Sequence, residues 1–195
     1  MRLRHLAALA LVVIVVAGCG EAVATPTSGR TVVPIGPTAW PSGTTGQYGL
    51  RIDPSLLGKL PAHAGALPIV EDAGSESTVL GDANLANTMD RYVAASAGGV
   101  SDPDWLKVSL GHFKTESQNT DVYSAWVDQY AGGACSQAGG VAGASQQTIG
   151  DFLVDVSTCN GAVTVYTLPL GDWYVLSMYE FGPKDIGRQL IAALY

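Results

Sequence analysis

SQQTIGDFLVDVSTCNGAVTVYTLPLGDWYVLSMYE, residues 145–180, is the stretch whose reading decides the fold. Gly150-Asp151, Asn160-Gly161 and Gly171-Asp172 punctuate it at similar spacing. Asn-Gly supplies the positive φ angles that a tight hairpin turn requires, and Gly-Asp serves similarly. The apolar runs between these turns predict an antiparallel meander. Two-residue loops would set its register. Val156 then opposes Val165 and Val154 opposes Thr167; across the next turn Val165 opposes Met178 and Thr167 opposes Leu176. One face gathers Val154, Val156, Val163, Val165, Leu176 and Met178 as the core side. The other mixes polar residues with an aromatic group, Tyr166, Trp173 and Tyr179, beside Leu168 and Val175.

Working outward, Pro183 opens a closing helix with Ile186, Leu190, Ile191 and Leu194 as its apolar stripe. Upstream, Asn119 or Thr120 caps a helix carrying Val122, Tyr123, Trp126, Val127 and Tyr130, with Gly132-Gly133 as its stop. Trp105 to Phe113 alternates, with Leu106, Val108 and Leu110 on one face, and predicts a strand. Leu85, Met89, Tyr92 and Val93 share one face of a helix capped by Asp82 and ended by Gly98-Gly99. Leu50 to Ile52 and Leu67 to Glu71 read as short strands. The sum is an α+β domain: an antiparallel β-meander sheet with helices packed on one face.

The domain occupies residues 49–195, enough for one well-filled core. Residues 19–48 are rich in Thr, Pro, Ser and Gly and bury too little apolar surface to order themselves, so they read as a tether. Trp40 is its one odd residue. Residues 1–18 begin with Met1-Arg2-Leu3-Arg4-His5 and continue through an apolar run from Leu6 to Val16. That run is shorter than the ~20 residues that cross a bilayer as a helix. A basic start, a short apolar run and then small residues form a secretory signal.

Val16-Ala17-Gly18-Cys19 resembles the lipobox of bacterial lipoproteins. The resemblance covers residues 1–19. It implies cleavage before Cys19, a diacylglyceryl group on its thiol and often an acyl chain on its new amino group. Two or three chains give durable anchoring where one does not. The implied location is the extracytoplasmic face of the cell membrane. In layout, the folded part resembles small extracytoplasmic α+β domains of actinobacterial-type lipoproteins and receptor-kinase sensors. Layout alone carries over no functional residue.

With Cys19 lipidated, Cys135 and Cys159 remain, and an even pair in an exported chain reads as a disulfide. Cys135-Ser136-Gln137 lacks the spacing of a redox or zinc motif.

Chemistry is sparse. Charged residues make up 14% of the chain, well under the ~25% usual for soluble domains. The net charge of -7 with no Lys/Arg cluster excludes nucleic acid as partner and electrostatic adhesion to anionic lipid. No nucleophile elbow, phosphate loop or zinc-protease motif is present. His63 reads as a loop residue and His112 as a strand-end residue. Asp102, Asp104, Asp151 and Asp155 read as turn and surface acids. No cofactor or metal site is expected. Three function classes remain: a non-enzymatic module binding a small ligand or an envelope protein, an assembly accessory, and an enzyme without a visible motif. The candidate ligand surface is Tyr166, Trp173 and Tyr179, because aromatics grip apolar ligands and sugars.

Overall fold

The computed structural model describes residues 43–99 and 101–194. The expected leader, Cys19, Trp40 and most of the tether lie outside the described residues. Residues 43–48, expected in the tether, fold back onto the domain: Gly43 N–H donates to Ile52 O at 3.1 Å, and Gly46 N–H to Leu50 O at 2.8 Å.

The strands are β1 Arg51–Ile52, β2 His63–Ala64, β3 Leu67–Glu71, β4 Met89–Ala97, β5 Trp105–Phe113, β6 Val141–Ile149, β7 Phe152–Cys159, β8 Val163–Pro169 and β9 Tyr174–Phe181. The helices are α1 Ala73–Val79, α2 Ala83–Thr88, α3 Thr120–Cys135 and α4 Ile186–Ala192. The strand order is β2-β3-β4-β5-β9-β8-β7-β6, and β1 adds to β4 in parallel. The class is α+β with an antiparallel sheet, as expected. None of the described helices is long and apolar enough to cross a membrane.

α4 starts at Ile186, after Asp185 at φ 50° and without a side-chain cap, rather than at Pro183 as expected. Side-chain carboxylates and an amide start the other three helices. Asp72 accepts from Ser75 N–H, Asp82 from Asn84 and Leu85 N–H, and Asn119 from Val122 N–H. Each satisfies donors that a helix start leaves unpaired. α3 passes through Gly132-Gly133 and ends at Cys135, which is bonded to Cys159 with a Cα–Cα distance of 5.2 Å.

Both faces of the sheet are covered. α4 and the 3-10 turn Pro54–Lys59 fill the first, against Val93, Val108, Leu110, Val154, Leu176 and Met178. The second carries α1 and α2 over β4, and α3 over β7 and β8.

The meander is present, with one hairpin as expected and two that differ. Ile149 faces Phe152 across the two-residue Gly150-Asp151 turn. The next two loops each hold three residues. Val156 opposes Tyr166 rather than Val165, and Val165 opposes Tyr179 rather than Met178. A one-residue slip turns a whole strand over. β8 therefore sends Tyr166 and Leu168 into the α4 side, with Val165 under α3. The two slips cancel at β9, so Leu176 and Met178 face the core with Val154 and Val156 as expected. The extra residue of the last loop is Trp173, held at φ 60°, where a bulky side chain is rarely found.

The helix expected through Leu85, Met89, Tyr92 and Val93 is a helix and a strand. α2 ends at Thr88 and β4 begins at Met89. β4 lies between β3 and β5 and is buried on both faces, so its apolar residues run on without alternation and mimic a helical stripe.

Candidate functional site

The three residues expected to share an aromatic face are not brought together. Tyr166 is buried on the α4 side, where its hydroxyl donates to Glu180 Oε1 at 2.7 Å. Glu180 Oε2 accepts from Gly187 N–H at 2.6 Å. Burial raises the Glu180 pKa despite these bonds. A Cβ on Gly187 would stand 2.8 Å from the Tyr166 ring, so glycine there lets α4 approach. Tyr166 thus anchors α4. Trp173 stands exposed in its loop, and Tyr179 lies on the opposite face from Tyr166, near α3.

That second face contains the best-formed cavity. α1 and α2 sit on β4, and α3 sits on β7 and β8. Between them run β5 and β9. Strand spacing separates the helix supports by roughly 14–17 Å, whereas helices in contact lie ~8–10 Å apart. The excess is a slot about one aromatic ring or one hydrocarbon chain wide. Its volume is about 470 Å³, with walls from Val79, Leu85 and Thr88 on one side and Val122, Trp126, Tyr130 and Ala134 on the other. Tyr92 and Tyr179 form the floor. A second cavity of about 250 Å³ shares Val79, Tyr92, Tyr130 and Tyr179 and reaches Lys107 and Ser109. Asp82, Asn84 and Gln129 bring polar groups to the lining.

α3 is held in place along its length. Tyr123 hydroxyl donates to Asp155 Oδ2 at 2.8 Å, Trp126 Nε1–H to Ser177 Oγ at 2.8 Å, and the disulfide fixes its last turn. Tyr92 hydroxyl pairs with Ser109 Oγ at 2.8 Å on the floor, and Tyr130 hydroxyl donates weakly to the same oxygen at 3.5 Å. Burial pushes the Tyr92 phenol up to about 12 and raises that of Tyr130 as well, so both hydroxyls stay protonated. Aromatic rings follow one another from Phe113 through Trp126, Tyr130 and Tyr179 to Trp105, with successive centroids 5.7–6.4 Å apart, and the middle three line the slot.

The opposite wall is anchored by carboxyl groups. Glu76 of α1 is fully buried and accepts from Ala94 N–H of β4 at 3.1 Å. Burial raises its pKa to about 7, against the opposing pull of that bond; the adjacent Glu71 carboxyl and Asp72 raise it further. One oxygen of each glutamate, Glu71 Oε1 and Glu76 Oε2, is buried with no N–H or hydroxyl donor, and a proton on Glu76 supplies the hydrogen bond between the two carboxyls. Asp72 pairs with Lys107 of β5. Burial acts to raise the Asp72 pKa, but bonds from Lys107 and Ser75 outweigh it and leave it lowered.

The remaining candidates serve local structure. Asp102 accepts from Gly99 N–H at 2.6 Å, and Asp104 holds Lys184 through its backbone N–H and its ammonium group. Asp155 accepts from Tyr123 and from Gln146. His112 Nδ1 lies 2.7 Å from Asp90 Oδ1, with its ring against Tyr174. His63 is exposed in β2. Among the described residues, no group of His, Cys, Asp or Glu is arranged to hold a metal ion.

The slot therefore offers apolar burial, aromatic faces and a few neutral hydroxyl donors. Those groups suit an apolar molecule that carries one hydrogen-bonding group. Sequence reasoning missed Tyr92, placed on a helix, and treated Trp126 and Tyr130 only as a helix face. One available signal was Gly132-Gly133 inside α3. Mid-helix glycine costs about 1 kcal/mol against alanine, and a Cβ at either position would meet nothing within 4 Å. Close packing does not require them, while Gly133 lines the slot.

Comparison with protein-family models, curated proteins and solved structures finds no match to this chain.

Proposed function

We propose that this chain is a lipoprotein held through Cys19 at the extracytoplasmic face of the cell membrane, and that its domain binds an apolar or amphipathic small molecule between α1–α2 and α3. The slot carries the binding half of this reading. A cavity of 300–1,000 Å³ with mostly apolar walls and a few placed polar groups is the usual form of a small-ligand site, and this one measures about 470 Å³. Its width suits a flat ring or a single chain, and its tyrosine hydroxyls suit one hydrogen-bonding group on the ligand. The lipobox at Val16 to Cys19 supports the anchoring half.

Titration with N-phenyl-1-naphthylamine, a neutral apolar dye, tests the binding half. Saturable one-to-one binding with a change in tryptophan emission is expected, since Trp126 lines the slot. Gly133→Leu places a side chain in that lining and should weaken binding at least about tenfold, or 1.4 kcal/mol, while the fold persists. Dye binding that ignores this substitution removes the slot as the site. For the anchoring half, Cys19→Ser should move the protein from the membrane to the soluble fraction and abolish the acyl mass on the mature chain. Unchanged membrane retention refutes the anchor.

A further inference from the structure

The two edges of the sheet are built differently. One is fragmented: β1 and β2 have two residues each, β3 has five, and Pro68 lies within β3. Short edges with proline are poor templates for another strand. At the other end, β6 runs for nine residues, Val141–Ile149, with seven of them exposed in its burial pattern eeeeeeieB. It pairs with β7 on one side, and among the described residues no strand pairs with its other side. Its sequence, VAGASQQTI, has no charge and no proline. Charge and proline, which keep an edge from pairing, are thus both missing, and the one register shift of β6, between Val141 and Gly143, lies outside residues 144–148.

We propose that β6 is a self-association edge, at which a second copy of this chain adds antiparallel to form a reversible two-fold dimer. Ile149 and Phe152 close the two-residue Gly150-Asp151 turn as a hydrogen-bonded pair. Alternation along an antiparallel ladder then points the backbone N–H and C=O of Thr148, Gln146 and Ala144 away from β7. A two-fold axis at Gln146 sets Gln146 against its mate and Ala144 against Thr148 of the other copy. All of these side chains are exposed, and all are small or uncharged.

The fragmented edge selects the occupant. Pairing β6 of one copy with the far edge of the next would build an open fibre, but the far edge offers no continuous strand to receive it. The closed β6-to-β6 arrangement is what remains. The chain's net negative charge does not forbid it. Asp155, the nearest acidic residue on β7, faces Gln146 and accepts from its amide at 2.9 Å. Two such aspartates would lie three strand spacings apart, about 14 Å, beyond the screening length of ~8 Å at physiological salt. A single pair of strands buries less than the ~800 Å² per partner of a standard interface, so the dimer is one that exchanges.

Sedimentation equilibrium of the full chain in detergent tests this directly. Concentration-dependent dimer is expected. Ala144→Lys together with Thr148→Lys sets lysines directly opposite one another at exposed positions, and should lower the association constant at least about tenfold without altering circular dichroism. Gln146→Cys, at the two-fold axis, should give a disulfide-linked dimer on mild oxidation, and Asp121→Cys on exposed α3 should not. A parent chain that stays monomeric up to its solubility limit overturns the proposal. So does a dimer that survives the double lysine substitution in a protein of unchanged circular dichroism, or one that crosslinks equally through position 121.

Discussion

Glu76→Gln will stabilise the protein at pH 7 by about 3 kcal/mol and remove most of the fall in stability between pH 4.5 and pH 7. The carboxyl is fully buried, and its pKa rises from 4.5 to about 7 on folding. A raised carboxyl pKa means that the folded state binds the proton more tightly than the unfolded chain. The contribution is therefore complete below pH 4.5, declines as pH rises, and is lost above about pH 7. At 1.36 kcal/mol per pH unit, with half ionisation at pH 7, the loss there is about 3 kcal/mol.

Glutamine removes the ionisation and keeps the shape. Its carbonyl oxygen can still accept from Ala94 N–H, and its amide can donate to the Glu71 carboxyl in place of the Glu76 proton. Urea denaturation from pH 4 to pH 8 checks the effect. In a domain of about 150 residues, 3 kcal/mol corresponds to a rise in melting temperature of roughly 6–12 °C. Some slope should persist, because burial also raises the Glu180 pKa and that group has the same sign. The acid limb should persist as well. Asp53 and Asp72 have lowered pKa values, since hydrogen bonds to each outweigh its burial. Their contributions disappear only as pH falls below 3.8 and through those lowered values. A variant whose pH profile matches the parent's would show that Glu76 is ionised or solvated in the folded state. Because α1 forms one wall of the slot, dye affinity measured across the same pH range should fall toward pH 8 in the parent and stay flat in the variant.

The fold was legible where the signal is local, and the site was not. The Asp82 and Asn119 caps, the Gly150-Asp151 turn and the alternation of Trp105 to Phe113 depend on neighbours in the chain, and the structure has them. β4 was misread because burial on both faces leaves no period to detect. β8 was turned over because two loops that look like two-residue turns each hold one residue more. The cancellation at β9 explains how most of the core side could be right while Tyr166 was assigned to the wrong face. The slot has a different origin. β5 pairs with β9, which places Lys107 opposite Tyr179 and Ser109 opposite Ser177. That long-range pairing sets the distance between α1–α2 and α3. Tyr92, Trp126 and Tyr179 converge only because three distant segments meet there, and no spacing within one segment reports it.

Replacing both Cys135 and Cys159 with alanine should cost about 3–4 kcal/mol. The two positions are separated by 24 residues in sequence. Bridging a loop of that size removes about this much conformational freedom from the unfolded chain in the chain-entropy model. Alanine is the better probe because both sulfurs are buried, and serine would add an unpaired hydroxyl. Urea denaturation should show a lower midpoint and a steeper transition, since the unbridged chain exposes more surface on unfolding. The damage should also be local. The N-terminal half of α3 keeps its bonds from Tyr123 to Asp155 and from Trp126 to Ser177. The C-terminal half loses its covalent hold and retains Gly132-Gly133, which favour fraying. Amide exchange should therefore quicken at residues 131–138 far more than at residues 122–126. Because Gly133 and Ala134 line the slot, dye affinity should fall together with that protection. Loss of stability with uniform exchange along α3 would mean that the bridge acts only on the unfolded chain; loss confined to the last turns would make it a structural support of the slot wall.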